Sequence, residues 1–207
     1  MTDPSALTVA VESVRRRRIV AYPTDTTYAL AVDAMSHDAV ACLANAKGRD
    51  RAKPIPIVAS DMAMLDRVAV MSTLARQLAE RFLPGALTMV LPAKLHFPSP
   101  VRNEFNQVGV RIPNQAFALS FVAEFGNPLT ATSANPAGVP AATDAADFAV
   151  FSQTFLNSVS TLVDGGSTNL RLPSTVISVD NERIELIREG AIPFDSLLQF
   201  VGRERGR

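Results

Sequence analysis

The feature that most constrains this chain is an alternation of short apolar runs with stretches of helical spacing, punctuated by glycine, proline and hydroxyl residues. Ile19 to Pro23, Tyr28 to Val32, Ile55 to Ala59, Ala86 to Leu91, Val108 to Ile112 and Pro128 to Thr132 read as strands. Between them, Ser36 is placed to cap a helix running to about Ala46 that Gly48 stops. Ser60 and Ser72 are N-cap candidates for the next two helices, and Asn114 for one that ends at Gly126. Thr143 is expected to open a further helix. The last third offers Thr161 to Val163, Thr175 to Val179 and Arg183 to Ile187 as strands, then a closing helix from near Pro193 and a frayed tail from Gly202 to Arg207. Adjacent strands mixed with strand-helix alternation predict an α/β fold of the mixed α+β kind. A mixed sheet flanked by helices fits this pattern, and a purely parallel doubly wound sheet does not.

No repeat or Gly/Ser-rich linker divides the 207 residues, so one domain spanning residues 1–207 is expected. With 47% apolar residues, a domain of this size buries on the order of 70% of its unfolded surface and needs neither disulfide nor structural metal. Cys42 is the only cysteine, which excludes an intramolecular disulfide and a cysteine-built zinc site and suits a reducing compartment. The stretch from Met1 to Arg18 lacks the apolar core of a signal peptide, and no apolar run approaches membrane-spanning length, so a soluble cytoplasmic protein is expected. Twenty basic residues balance twenty acidic ones, against a dedicated nucleic-acid binder with a uniform positive field. Seventeen of the twenty cations are arginine, the residue suited to bidentate grip on phosphate or carboxylate.

Three polar segments follow apolar strands or helix ends, where ligands bind in folds of this class. Pro23-Thr-Asp-Thr-Thr27 offers three hydroxyls and a carboxylate, for a small polar substrate or for an ordinary turn. Lys47-Gly-Arg49-Asp-Arg51-Ala-Lys53 gathers four cations, for a polyphosphate or for the negative end of the preceding helix. Thr130-Ala-Thr-Ser-Ala-Asn135 combines small side chains with donors and acceptors, for close approach to a ligand or for a serine/asparagine turn. His37, His96 and Cys42 form no recognisable set, with Cys42 at a spacing that fits core or boundary. Asp164-Gly-Gly166 is a tight-turn signal, and the Arg15 to Arg18 run fits a solvated helix end better than a contact with RNA phosphates.

Taken in order, Tyr22-Pro-Thr-Asp-Thr-Thr-Tyr28, Lys47-Gly-Arg49, Lys53-Pro54, Pro84-Gly-Ala-Leu-Thr88, Val110-Arg-Ile-Pro113, Thr132-Ser-Ala-Asn135, Asp164-Gly-Gly166, Pro173-Ser-Thr-Val176 and Arg188-Glu-Gly190 resemble the YrdC/TsaC family of threonylcarbamoyl-AMP synthases, in its short form. The resemblance implies a twisted mixed sheet with helices on its faces and a concave, positively charged cavity for ATP and L-threonine. It also implies Lys47, Arg49, Ser133 and Asn135 as the catalytic set around the nucleotide phosphates, with Lys53 and Arg188 also facing ATP. Thr26, Arg111, Ala131 and Ser174 fall at threonine-holding positions. The implied reaction joins threonine, bicarbonate or carbon dioxide, and ATP carrying magnesium. Its product, threonylcarbamoyl-AMP, would pass to tRNA-modifying transferase proteins. Double-stranded RNA binding, as in a ribosome-maturation module without this catalysis, is the alternative. Ala29 stands where a glycine is usual in that family, Val58 where many members carry a histidine, and Glu189 where proline is more usual.

Overall fold

The computed structural model describes residues 4–48, 54–181 and 183–205. Helix α1 (Pro4–Arg15) leads into strands β1 (Ile19–Tyr22) and β2 (Ala29–Ala31), then α2 (His37–Ala46), β3 (Ile57–Val58), α3 (Met62–Val68) and α4 (Thr73–Phe82). Strands β4 (Leu87–Pro92) and β5 (Gln107–Arg111), helix α5 (Ala116–Phe125) and strands β6 (Leu129–Thr130) and β7 (Thr132–Ser133) follow. A 3-10 helix over Ala145–Val150 and α6 (Gln153–Ser158) precede β8 (Val159–Leu162), β9 (Thr175–Val179), β10 (Ile184–Arg188) and the closing α7 (Phe194–Arg205).

The described strands form two mixed sheets where the sequence suggested one. The smaller has order β7-β2-β1-β8 and the larger β10-β9-β4-β5-β3-β6. The run expected as one strand from Pro128 to Thr132 makes the join. Its first half pairs with β3 in the large sheet (Ile57 opposite Thr130) and its second half with β2 in the small one (Leu30 opposite Thr132). Between the halves, the Ala131 N–H turns to the Pro56 carbonyl. Thr130, fully buried, fastens the join: its hydroxyl donates to Leu30 O at 3.1 Å and accepts from Val32 N–H at 3.0 Å. A buried hydroxyl with both capacities filled removes the penalty an orphaned one would carry.

Sequence-local chemistry sets the helix ends. The Ser36 and Ser72 side chains accept from Ala39 N–H and Ala75 N–H, as expected of N-caps. At α3 the cap is Asp61, because Ser60 spends its hydroxyl on the Asp61 carboxylate while Asp61 takes the Met64 N–H. At α5 it is Gln115 and not Asn114, with Oε1 reaching Ala118 N–H at 2.7 Å. Thr143 yields the capping role to Asp144, whose capping box with Asp147 starts a 3-10 helix. Gly48 and Gly126 take the left-handed conformation just past α2 and at the end of α5. Cys42 is exposed, on the outer face of α2.

Helix α1 buries Ala10, Val11 and Val14 and packs against α5 and β1. Beyond it, Arg15 to Arg18 is a solvated helix end: Arg16 pairs with Glu12 at 2.7 Å and Arg17 with Asp38 at 2.8 Å, all exposed. Such pairs contribute at most about 1 kcal/mol each. Among the described residues no helix is long and apolar enough to cross a membrane.

Candidate functional site

Register places a row of residues at one end of the large sheet. Arg188 of β10 lies opposite Val176 of β9, Val176 opposite Thr88 of β4, and Val58 of β3 opposite both Arg111 of β5 and Leu129 of β6. Period-two alternation along each strand fixes which side chains share this row. Three of the expected threonine-side residues meet around it. The Arg111 guanidinium donates through Nη1 to Thr26 Oγ1 at 2.9 Å and through Nη2 to Asp25 Oδ1. Arg188 Nη2 donates to the Ser174 carbonyl at 2.8 Å and lies 3.3 Å from its hydroxyl, which is 2.9 Å from Thr88 Oγ1. Val58, on β3 next to Arg111, is fully buried and brings no polar group.

The Pro23 to Thr27 segment is held in a polar frame of its own. Thr24 Oγ1 lies 2.9 Å from Thr26 Oγ1 and donates to the Thr27 carbonyl at 2.6 Å. Thr168 Oγ1 donates to Thr26 O at 2.8 Å, and Leu170 N–H to Asp25 O at 3.0 Å, so the 167–174 loop lies across the segment. Below it the Asp164-Gly-Gly166 turn is tied to Tyr28: the phenol donates to Gly166 O and accepts from Gly165 N–H. Gly165 is required by proximity, since a Cβ there would lie 2.7 Å from the Pro23 ring.

A second cluster is built on the small sheet. Ser133 of β7 pairs with Ala29 of β2, three residues along the chain from Thr26, which brings the Ser-Ala-Asn turn beside the β2 strand. Lys47, at the end of α2 and only 5% exposed, donates to the carbonyls of Ser133 (2.5 Å) and Asn135 (3.1 Å) and to Asn135 Oδ1 (3.1 Å). Ser133 Oγ donates to the same Asn135 Oδ1 at 2.6 Å, and Asn135 Nδ2 holds Val139 O and Pro136 O. Lys47, expected at the nucleotide phosphates, is here an ammonium that organises this turn. Arg49 and Lys53 lie outside the described residues. Ala131 sits at the crossing between the sheets, its amide committed to Pro56.

Electrostatics unite the threonine-side cluster. Burial lowers the pKa of Arg111 while Asp25 acts in the opposite direction, and burial followed by the Arg111 charge lowers that of Arg188. Both remain guanidinium at neutral pH. Burial raises the Tyr22 phenol well above its usual range, with Arg111 and Asp25 close enough to act on it. Among the described residues, the buried side-chain atoms with no hydrogen-bond partner are Tyr22 OH, Asp25 Oδ2 and Arg111 Nε. Sequence reading placed Asp25 in a polar turn without giving it a role, and missed Thr168. The only local signal was a carboxylate at a strand end, and its partner Arg111 lies 86 residues away.

A separate cleft of about 480 Å³ lies between α1 and the start of α2, lined by Val14, Arg15, Arg17, Ser36, His37 and Phe125 among others. No residue of the two polar clusters lines it, and its arginines are solvated. The buried polar clusters are the better candidate because their desolvated donors and acceptors strengthen contacts with a charged ligand.

Two mixed sheets joined by a crossing strand, with Arg111 and Arg188 at strand ends and Lys47 at the end of α2, define a mixed α/β protein. The family model for Sua5/YciO/YrdC proteins, described as telomere recombination, matches residues 12–190, and the chain belongs to that family. It is 32% identical over 198 residues to a threonylcarbamoyl-AMP synthase of Pyrococcus abyssi, covering 95% of this chain and 57% of that protein. The crystal structure of P. abyssi Sua5 complexed with L-threonine superposes with a TM-score of 0.91 at 31% identity, over 98% of this chain and 59% of that one. A putative threonylcarbamoyl-AMP synthase of Methanocaldococcus jannaschii is 35% identical over 184 residues, 87% of this chain and 83% of its own length. The chain therefore spans a little over half of the P. abyssi protein and most of the M. jannaschii one.

Proposed function

We propose that this chain is an L-threonylcarbamoyladenylate synthase, a nucleotidyltransferase that makes threonylcarbamoyl-AMP and pyrophosphate from L-threonine, bicarbonate or its carbon dioxide, and ATP. The observation that carries the reading is the meeting of Arg111, Thr26, Ser174 and Arg188 at one end of the large sheet, in a chain with a TM-score of 0.91 to a threonine-bound relative. The carboxylate of threonine fits Arg111, whose charge is desolvated, and the hydroxyls of Thr26 and Ser174 suit orientation by hydrogen bonds.

The chemistry needs no protein nucleophile. The threonine nitrogen attacks carbon dioxide and loses a proton to give a carbamate. A carbamate oxygen then bonds to the α-phosphorus of ATP as the bond to the β-phosphate bridging oxygen breaks and pyrophosphate leaves. Charge builds at the α-phosphate and on pyrophosphate, and magnesium arrives with ATP as part of the substrate. Arg188, facing Arg111, is suited to the α-phosphate. Lys47 with the Ser133–Asn135 turn, and Arg49 and Lys53 by sequence, are suited to the rest of the triphosphate. A concave cationic hollow between the two clusters would keep water from the carbamate and the mixed anhydride. In a cytoplasmic setting the product would pass to tRNA-modifying proteins.

The test is pyrophosphate release by the purified chain with ATP, bicarbonate and L-threonine. Release that requires all three supports the reading, and release indifferent to threonine refutes it. Retention of double-stranded RNA that falls steeply with salt and ignores ATP and threonine would favour the binding-module alternative.

A further inference from the structure

Asp25 is only 4% exposed; among the described residues its charged contact is the Arg111 guanidinium, and its Oδ2 has no hydrogen-bond partner. The Leu170 amide goes to the Asp25 backbone carbonyl, and the neighbouring hydroxyls of Thr24 and Thr26 bond each other and the Arg111 Nη1. A buried ion pair stabilises a fold little compared with apolar side chains of equal volume, so one whose carboxylate is half unsatisfied is poorly explained by stability. Its position explains more. Among the described residues, Asp25 is the carboxylate paired with Arg111, on the strand end where the threonine-side residues gather.

We propose that Asp25 is the positioning residue of the amino-acid pocket, holding the Arg111 guanidinium against Thr26. This rests on the synthase reading above and assigns Asp25 a part in it. Arg111 is gripped from one turn through both terminal nitrogens, Nη1 by Thr26 and Nη2 by Asp25, so its plane is set before any ligand arrives. Without Asp25, Arg111 loses the group that fixes its plane. The effect falls on the amino acid and spares the Lys47 cluster on the small sheet, which is built on Ser133 and Asn135.

The test uses the full chain and two variants, Asp25→Asn, which keeps shape and removes charge, and Asp25→Glu, which keeps charge and moves it. L-threonine binding is measured by calorimetry, and KM values are measured separately for threonine and ATP from pyrophosphate release. Asp25→Asn is expected to raise the KM for threonine about tenfold to a hundredfold, as loss of one partner from a buried charge pair does. The KM for ATP stays within about threefold, and kcat falls less than kcat/KM for threonine. Asp25→Glu gives a smaller rise in the same direction, and it carries the test should Asp25→Asn fail to fold. Unchanged threonine binding in the variants, or KM values for threonine and ATP that rise together, overturns the proposal. Wild-type protein that binds no threonine overturns the synthase reading itself, and this inference with it.

Discussion

Replacing Lys47 by methionine separates an ammonium that organises the Ser133–Asn135 turn from one that only waits for phosphate. Methionine keeps the length of the side chain and removes its charge. Three acceptors lose their donor: the carbonyls of Ser133 and Asn135 and the Oδ1 of Asn135, the last still served by Ser133 Oγ. Hydrogen bonds from a charged donor contribute about 1.5–3 kcal/mol each, and an orphaned buried carbonyl costs about 1–3 kcal/mol. Freeing the fold from a buried ammonium returns part of that. The Ser133 carbonyl keeps the Asn135 N–H at 3.1 Å, so the main loss is at the Asn135 carbonyl. A net loss of about 1–2 kcal/mol is expected, which for a domain near this size lowers Tm by about 2–8 °C. The assay is thermal unfolding of the ligand-free variant followed by circular dichroism, with urea unfolding as a second measure. A Tm within about 1 °C of wild type would refute the reasoning, because a lysine serving only the ligand adds little to ligand-free stability.

Three further outcomes follow from particular contacts. Gly190→Ala would set a Cβ 2.5–2.6 Å from the Ser174 carbonyl group, backbone that cannot move aside without shifting Ser174 and Arg188; a loss of about 1–3 kcal/mol in urea unfolding is expected, with weaker threonine binding. Arg49→Ala should cut pyrophosphate output by more than about tenfold through loss of a charge-assisted phosphate contact, measured at saturating substrates. The Met64 amide, the largest cause, holds the Asp61 carboxyl below the ordinary carboxylate range. Its share of stability is therefore complete above the ordinary value and is lost as pH falls through the lowered one. Asp61→Asn is expected to shrink the stability difference between about pH 7 and about pH 3 in urea unfolding.

What the sequence showed of the fold was what local chemistry determines. Apolar runs located most of the strands, and Ser36, Ser72 and Gly126 marked helix ends because capping depends on a few neighbouring residues. The errors lay where two adjacent side chains competed for one amide, as with Ser60 and Asp61 or Asn114 and Gln115, and there the arrangement of the entering chain decided. The split of Pro128 to Thr132 between two sheets was not legible, since it depends on β2 and β3 presenting edges to opposite halves of one run. The same holds for the site. Motif order brought Thr26, Arg111, Ser174, Ser133 and Asn135 to notice, but the capture of Lys47 by the Ser133–Asn135 turn and the Asp25–Arg111 pair join residues 86 to 88 positions apart.

The most direct measurement is a crystal structure of the chain with L-threonine and a non-hydrolysable ATP analogue. The account predicts the amino-acid carboxylate on Arg111, within reach of Thr26 and Ser174, and the phosphates running from Arg188 toward Lys47 and the Ser133–Asn135 turn. Threonine bound elsewhere, or a triphosphate seated away from that turn, would contradict it.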